Sequence, residues 1–133
     1  MAIVVGYVPT KEGRAALATA ASEARLRNAK LVVINSNRGG RDLDADEARR
    51  YEDELTAVRR QLDDDGIEHE VRQLVRGLEP AEDLIAVAEE VGAQMIVIGL
   101  RRRTPVGKLI LGSNAQRILL DAPCAVLAVK AAD

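Results

Sequence analysis

Apolar and polar positions alternate between two rhythms along this chain. Ala2–Tyr7 (AIVVGY), Lys30–Asn35 (KLVVIN), Met95–Ile98 (MIVI, closed by Gly99) and Ala125–Val129 (AVLAV) are short, unbroken and mostly β-branched apolar runs. Such runs mark strands of a parallel sheet covered on both faces. Ile67–Val75 (IEHEVRQLV) alternates apolar with polar residues instead, and predicts a strand at a sheet edge. Between these runs, apolar residues recur at three- and four-residue spacings and predict helices. The first covers about Lys11–Asn28, with Leu17, Ala20, Ala21 and Ala24 inward; the second runs from Asp44 to Asp64, on a stripe of Ala48, Tyr51, Leu55, Val58 and Leu62. A third covers Ala81–Val91 with Leu84, Ile85 and Ala88 inward, and a fourth opens at Gly112-Ser113. Thr10 reads as the N-cap of the first helix and Pro80 occupies the first turn of the third. Asp65-Gly66 and Gly92 read as stops, and Ser36–Asp42 (SNRGGRD) as a turn. Ser113 with Gln116 three residues on reads as a capping box.

Strict strand–helix alternation with short connections predicts an α/β, three-layer sandwich: a five-stranded parallel sheet with helices on both faces. Ligands of such sheets bind outside the carboxyl ends of the strands, where the strand order reverses. The loops after Tyr7 and after Gly99 open together there if the first and fourth strands are neighbours. A helix N-terminus carries unpaired N–H groups and about half a positive charge. Gly112-Ser113, reached from a strand end through a glycine-containing loop, is therefore an anion or phosphate site in waiting.

Composition narrows the partners. The 133 residues predict one domain, 1–133, with an ordinary balance of 47% hydrophobic and 30% charged residues. With two tyrosines and no phenylalanine or tryptophan the core must be aliphatic, which argues against reading nucleic-acid bases by aromatic stacking. A net charge of −2 supplies no field for DNA or an acidic membrane surface, so no nucleic-acid and no membrane partner is expected. The one cysteine excludes an internal disulfide and fits a reducing cytoplasm. No leader-like start and no apolar run near the roughly 20 residues of a membrane span are visible.

Candidate chemistry is sparse. Gly107-Lys108 invites a P-loop reading, but Arg102 stands where that motif needs glycine and Leu109 where it needs Ser or Thr. Nothing after Tyr7 resembles a dinucleotide fingerprint, and no His/Cys spacing suits a metal. His69 reads as a solvated position of an alternating strand, and Cys124 as a small buried thiol rather than a nucleophile. No catalytic residue is assigned. Arg101-Arg102-Arg103 with Lys108 is the basic exception in an acidic chain. It reads either as a solvated loop or as a set of guanidinium forks for phosphate oxygens.

These residues resemble the universal stress protein family. Its nucleotide signature is glycine, two residues, glycine, nine residues, then glycine with Ser or Thr. Gly99 matches the first glycine and Gly112-Ser113 the last pair, with the spacing kept. The opening IVVGYVPTKEGRAAL, the run Gly92–Gly99 and the tail Gly112–Val129 carry the similarity further, so that it spans the whole chain. The resemblance implies an adenine-nucleotide alpha-hydrolase-like sheet in the order 3-2-1-4-5. It also implies a homodimer through the last strand and, in the nucleotide-binding branch, ATP or AMP over the strand ends, with Mg only alongside ATP. By position, Val8 and Ser36 would border the nucleoside, the backbone around Ser36 facing the adenine. Gly99, Arg101, Arg102 and Gly107 would form the loop past the ribose, and Gly112, Ser113 and Asn114 would hold the phosphates. Arg102 replaces the second signature glycine, and Val8 the aspartate that often follows the first strand. Two functions are thus expected: a cytoplasmic, adenine-nucleotide-binding stress-response protein, at most a slow ATP hydrolase, or a nucleotide-free dimeric interaction module.

Overall fold

The computed structural model describes residues 1–37, 45–75, 79–100 and 111–131. Its elements run β1 (Ala2–Gly6), α1 (Lys11–Arg27), β2 (Lys30–Asn37), α2 (Ala45–Asp64), β3 (His69–Val75), α3 (Pro80–Val91), β4 (Met95–Leu100), α4 (Ser113–Asp121) and β5 (Ala125–Lys130). The five strands form one parallel sheet in the order β3-β2-β1-β4-β5. β1 is therefore central, β3 and β5 are the edges, and the order reverses between β2 and β4 on either side of β1.

Residues along each inner strand alternate between two apolar layers. Ile3, Val5, Leu31, Val33 and Val97 pack with Ala16, Ala20 and Ala24 of α1 and with Leu55, Val58 and Leu62 of α2. Val4, Val32, Ile34, Ile96 and Ile98 pack on the other face with Ala81, Leu84, Val87 and Ala88 of α3 and Ile118 of α4. Burial of each large aliphatic side chain stabilises by about 1.5–3 kcal/mol, so the two layers share the work of holding the helices down. Alanines line the buried face of α1 because that helix lies against the middle of the sheet, where a larger side chain would lift it away.

Local signals largely hold. Thr10 Oγ1 accepts a hydrogen bond from Gly13 N at 3.1 Å, and α1 ends on Asn28 in the left-handed region at φ 53°. Gly66 (φ 70°) and Gly92 (φ 61°) turn the chain after α2 and α3, a conformation that costs glycine nothing. Several expectations need correction. Ala48, expected on the inward stripe of α2, is exposed, because it lies in the first turn of the helix, ahead of the buried Leu55, Val58 and Leu62; and β3 begins at His69 rather than Ile67. β2 does not end at Asn35: Ser36 and Asn37 continue the ladder opposite Leu74 and Val75, because β3 supplies their backbone partners. β4 does not stop at Gly99 but pairs on to Leu100, opposite Lys130. Ser113 is not a cap: Gly112 holds the capping position with extended backbone, its carbonyl accepts from Gln116 N at 3.0 Å, and, having no side chain, it makes no side-chain cap bond. His69 is not solvated; its ring is 12% exposed, with Nδ1 2.8 Å from the Ile67 carbonyl and Nε2 facing Asp63. Among the described residues, no helix is long and apolar enough to cross a membrane.

Candidate functional site

The carboxyl ends of β1, β2 and β4 open into a cleft of about 320 Å³, bounded by the N-terminal turns of α1, α3 and α4. That is the lower end of the range occupied by small-molecule sites. Val8, Ser36, Gly99, Gly112, Ser113 and Asn114 all line it, so six of the sequence-predicted positions converge. Arg101, Arg102 and Gly107 lie outside the described residues.

The floor is backbone. Gly13, in the first turn of α1, passes so close to the β1–α1 connection that a Cβ there would sit 1.8 Å from the Val8 carbonyl oxygen. A Cβ on Gly99 would sit 2.2 Å from the Glu12 carbonyl oxygen. Neither obstacle is a movable side chain, so both positions require glycine. The sequence offers Gly99 as the first signature glycine, on the loop expected past the ribose; its packing against α1 is not legible there.

At the β4 side of the cleft, α4 begins. The N–H groups of Ser113, Asn114 and Ala115 precede the helix's first internal bond, from Gln116 N to Gly112 O, and belong to the turn that a helix cannot satisfy by itself. Asn114 is turned to another task. Its Oδ1 accepts from Ala81 N at 3.1 Å and so caps α3, whose own capping residue, Glu79, makes no side-chain cap bond.

On the β2 side, Ser36 Oγ donates to Asp83 Oδ2 in a short hydrogen bond. Asp83 is wholly buried in the first turn of α3. Ile34, Leu84 and Ile98 complete an apolar wall beside them. Sequence reading passed over Asp83, although an acid directly before Leu84, on the face shared with Val87 and Ala88, was the available signal.

Beneath the cleft, Tyr7 ties three elements together. Its hydroxyl donates to Glu54 Oε1 at 2.6 Å, the same oxygen takes Arg14 Nε at 3.2 Å, and Asn35 Nδ2 donates to the Tyr7 carbonyl at 3.0 Å. Burial, then the Glu54 carboxylate, pushes the Tyr7 hydroxyl well above its ordinary range. The Tyr7 hydrogen bond, followed by Arg14, holds Glu54 below the usual carboxylate value. At the far end of the sheet Cys124 is half-buried, and burial raises its thiol, the opposite of what activates a nucleophile.

A parallel 3-2-1-4-5 sheet with glycine-floored strand ends and a helix opening onto them defines a doubly wound α/β protein with its cleft at the carboxyl ends of the strands. The profile of the universal stress protein family matches residues 1–130, and the chain belongs to that family. It is 45% identical over 128 residues to a universal stress protein of Mycolicibacterium smegmatis, covering 96% of each chain. Its fold matches a solved universal stress protein from Archaeoglobus fulgidus with a TM-score of 0.82, at 37% identity over 98% of both chains. A second structure from that organism, solved in complex with dAMP, matches with a TM-score of 0.76 at 32% identity, again over 98% of both chains.

Proposed function

We propose that this chain binds an adenine nucleotide, ATP or AMP, in the cleft, and serves as a cytoplasmic stress-response protein rather than as an enzyme of appreciable turnover. The observation that carries the reading is the convergence of Ser36, Gly99 and Gly112–Asn114 on one cleft, in a chain 32% identical to a protein solved with dAMP. Adjacent strands lie about 4.8 Å apart, so β2 and β4 stand roughly two spacings apart across β1, a span that suits a nucleoside with its phosphate. The phosphate would rest on the backbone N–H groups of Gly112, Ser113 and Asn114 and the positive end of α4. The ribose would pass Gly99, and the base would lie toward Ser36 and the apolar wall. Mg would accompany ATP alone. The chain would act as a homodimer, β5 meeting its copy along the open edge of the sheet.

Val8 favours a second reading, the nucleotide-free interaction module: it is 41% exposed and presents an apolar side chain at the cleft. Isothermal titration with ATP and AMP at low and high salt separates the two. The nucleotide reading expects saturable binding that weakens as salt screens the phosphate contacts. Arg102→Gly, titrated alongside, should bind more tightly if that arginine blocks a backbone cradle and more weakly if it is itself a phosphate ligand. Absence of heat and of thermal shift for parent and variant alike would leave the interaction module.

A further inference from the structure

We infer that Ser36 and Asp83 form an acceptor pair that selects the 6-amino group of adenine over the 6-carbonyl of other purines, an inference that rests on the nucleotide reading of the cleft. A serine hydroxyl has one proton and two lone pairs. The Ser36 proton is committed to Asp83 Oδ2, so toward the cleft this hydroxyl can only accept.

The commitment is built in rather than incidental. Asp83 is wholly buried, and its place in the first turn of α3 sets an acidic group at the positive end of a helix. That helix end is fixed from the other side of the cleft by Asn114 Oδ1 on Ala81 N. Ser36 is fixed in turn by its strand, paired opposite Leu74 of β3. The hydroxyl therefore has little freedom to turn its proton away from Asp83.

A ligand group reaching Ser36 meets lone pairs backed by a buried acid. An N–H donor is drawn to this arrangement, and a carbonyl oxygen is repelled by it. Adenine offers an amino group at the position where hypoxanthine and guanine offer a carbonyl. Sugar and phosphate are common to AMP and IMP, so their comparison isolates this one group. Asp83 touches no ligand here; it is a positioning residue that acts through Ser36.

Titrating the full chain with AMP and IMP tests the pair. The parent should bind AMP about tenfold or more tighter than IMP, the scale of one hydrogen bond gained and one repulsion avoided. Ser36→Ala should bring the two affinities within about threefold, chiefly by weakening AMP, and Ser36→Thr should restore the preference. Asp83→Asn can turn its amide N–H toward Ser36 and release the hydroxyl proton to the cleft, so it should narrow or invert the preference. Circular dichroism confirms that each variant is folded, and Ser36→Ala with Ser36→Thr decide the matter if Asp83→Asn is not. Equal binding of AMP and IMP by the parent, or an unchanged ratio in Ser36→Ala, overturns the pair while leaving the nucleotide site standing. Binding of neither nucleotide by the parent overturns the nucleotide reading itself.

Discussion

Tyr7 shows how much one side chain can join. Its ring is buried in the layer beneath α1 and α2, its hydroxyl meets Glu54 of α2, and its carbonyl takes Asn35 of β2. Arg14 completes the group on Glu54 from the exposed side. The two titrations act in opposite directions. Glu54 is held below its ordinary value of 4.5, so its contribution to stability is present above about pH 4.5 and is lost as pH falls further. Tyr7 is raised above its ordinary 10.0, so its contribution is present below about pH 10 and is lost as pH rises from there. Tyr7→Phe should then cost about 1–2 kcal/mol at neutral pH, a value reduced by the partial exposure of Glu54. Unfolding measured from pH 3 to 11 should show the gap between parent and variant widest between about pH 5 and 10 and shrinking on both sides; a gap independent of pH would contradict the coupling. None of this was legible in the sequence, where Tyr7 closes an apolar run and Glu54 sits in a charged face 47 positions away. Periodicity says which way a side chain faces, not which distant partner it meets.

At the scale of elements, α3 and α4 are joined end to end. The S-x-x-Q pattern predicts that Ser113 caps α4, but the chain enters α4 with Gly112 as its capping residue, leaving Ser113 in the first turn and Asn114 free to cap the neighbouring helix. The two substitutions should therefore behave unequally. Ser113→Ala should change thermal stability by less than about 0.5 kcal/mol, since no cap is lost, whereas Asn114→Ala should cost about 1 kcal/mol, the usual worth of a cap. Equal losses would mean that Ser113 does cap α4 in solution. The reading of Thr10 succeeded because the chain does enter α1 at that residue, with Gly13 N as its partner; that of Ser113 failed because the chain enters α4 one residue earlier, at Gly112, which places Ser113 inside the first turn. Capping motifs are local, and their limits appear where two helix ends meet.

For the molecule as a whole, the alternation of runs sufficed for the class of fold, and the family resemblance supplied the order of the strands. What alternation cannot supply is which strand lies in the middle, because backbone pairing is indifferent to side-chain identity once both faces are apolar. The edges carry the clearest consequence for assembly. Among the described residues β5 pairs with β4 alone, and Leu119 and Leu120 of the adjoining α4 are 43% and 82% exposed. An open edge beside apolar surface is a hazard unless it is paired, and a two-fold pairing of β5 with its copy would close it. Light scattering after size exclusion should report about twice the 14.4 kDa chain mass; a clean monomer at high micromolar concentration would contradict the dimer. The central place of β1 reaches further, into the order in which the chain is made. In chain order β1 and β2 precede β4 and α4, so Ile3 has its β2 partner, Leu31, well before Met95 is made. Until then the cleft has one wall. A molecule that needs both sides can seat itself only on the finished protein, so it would act on the last step of maturation, slowing the departure of the late-made half while leaving the early pairing untouched.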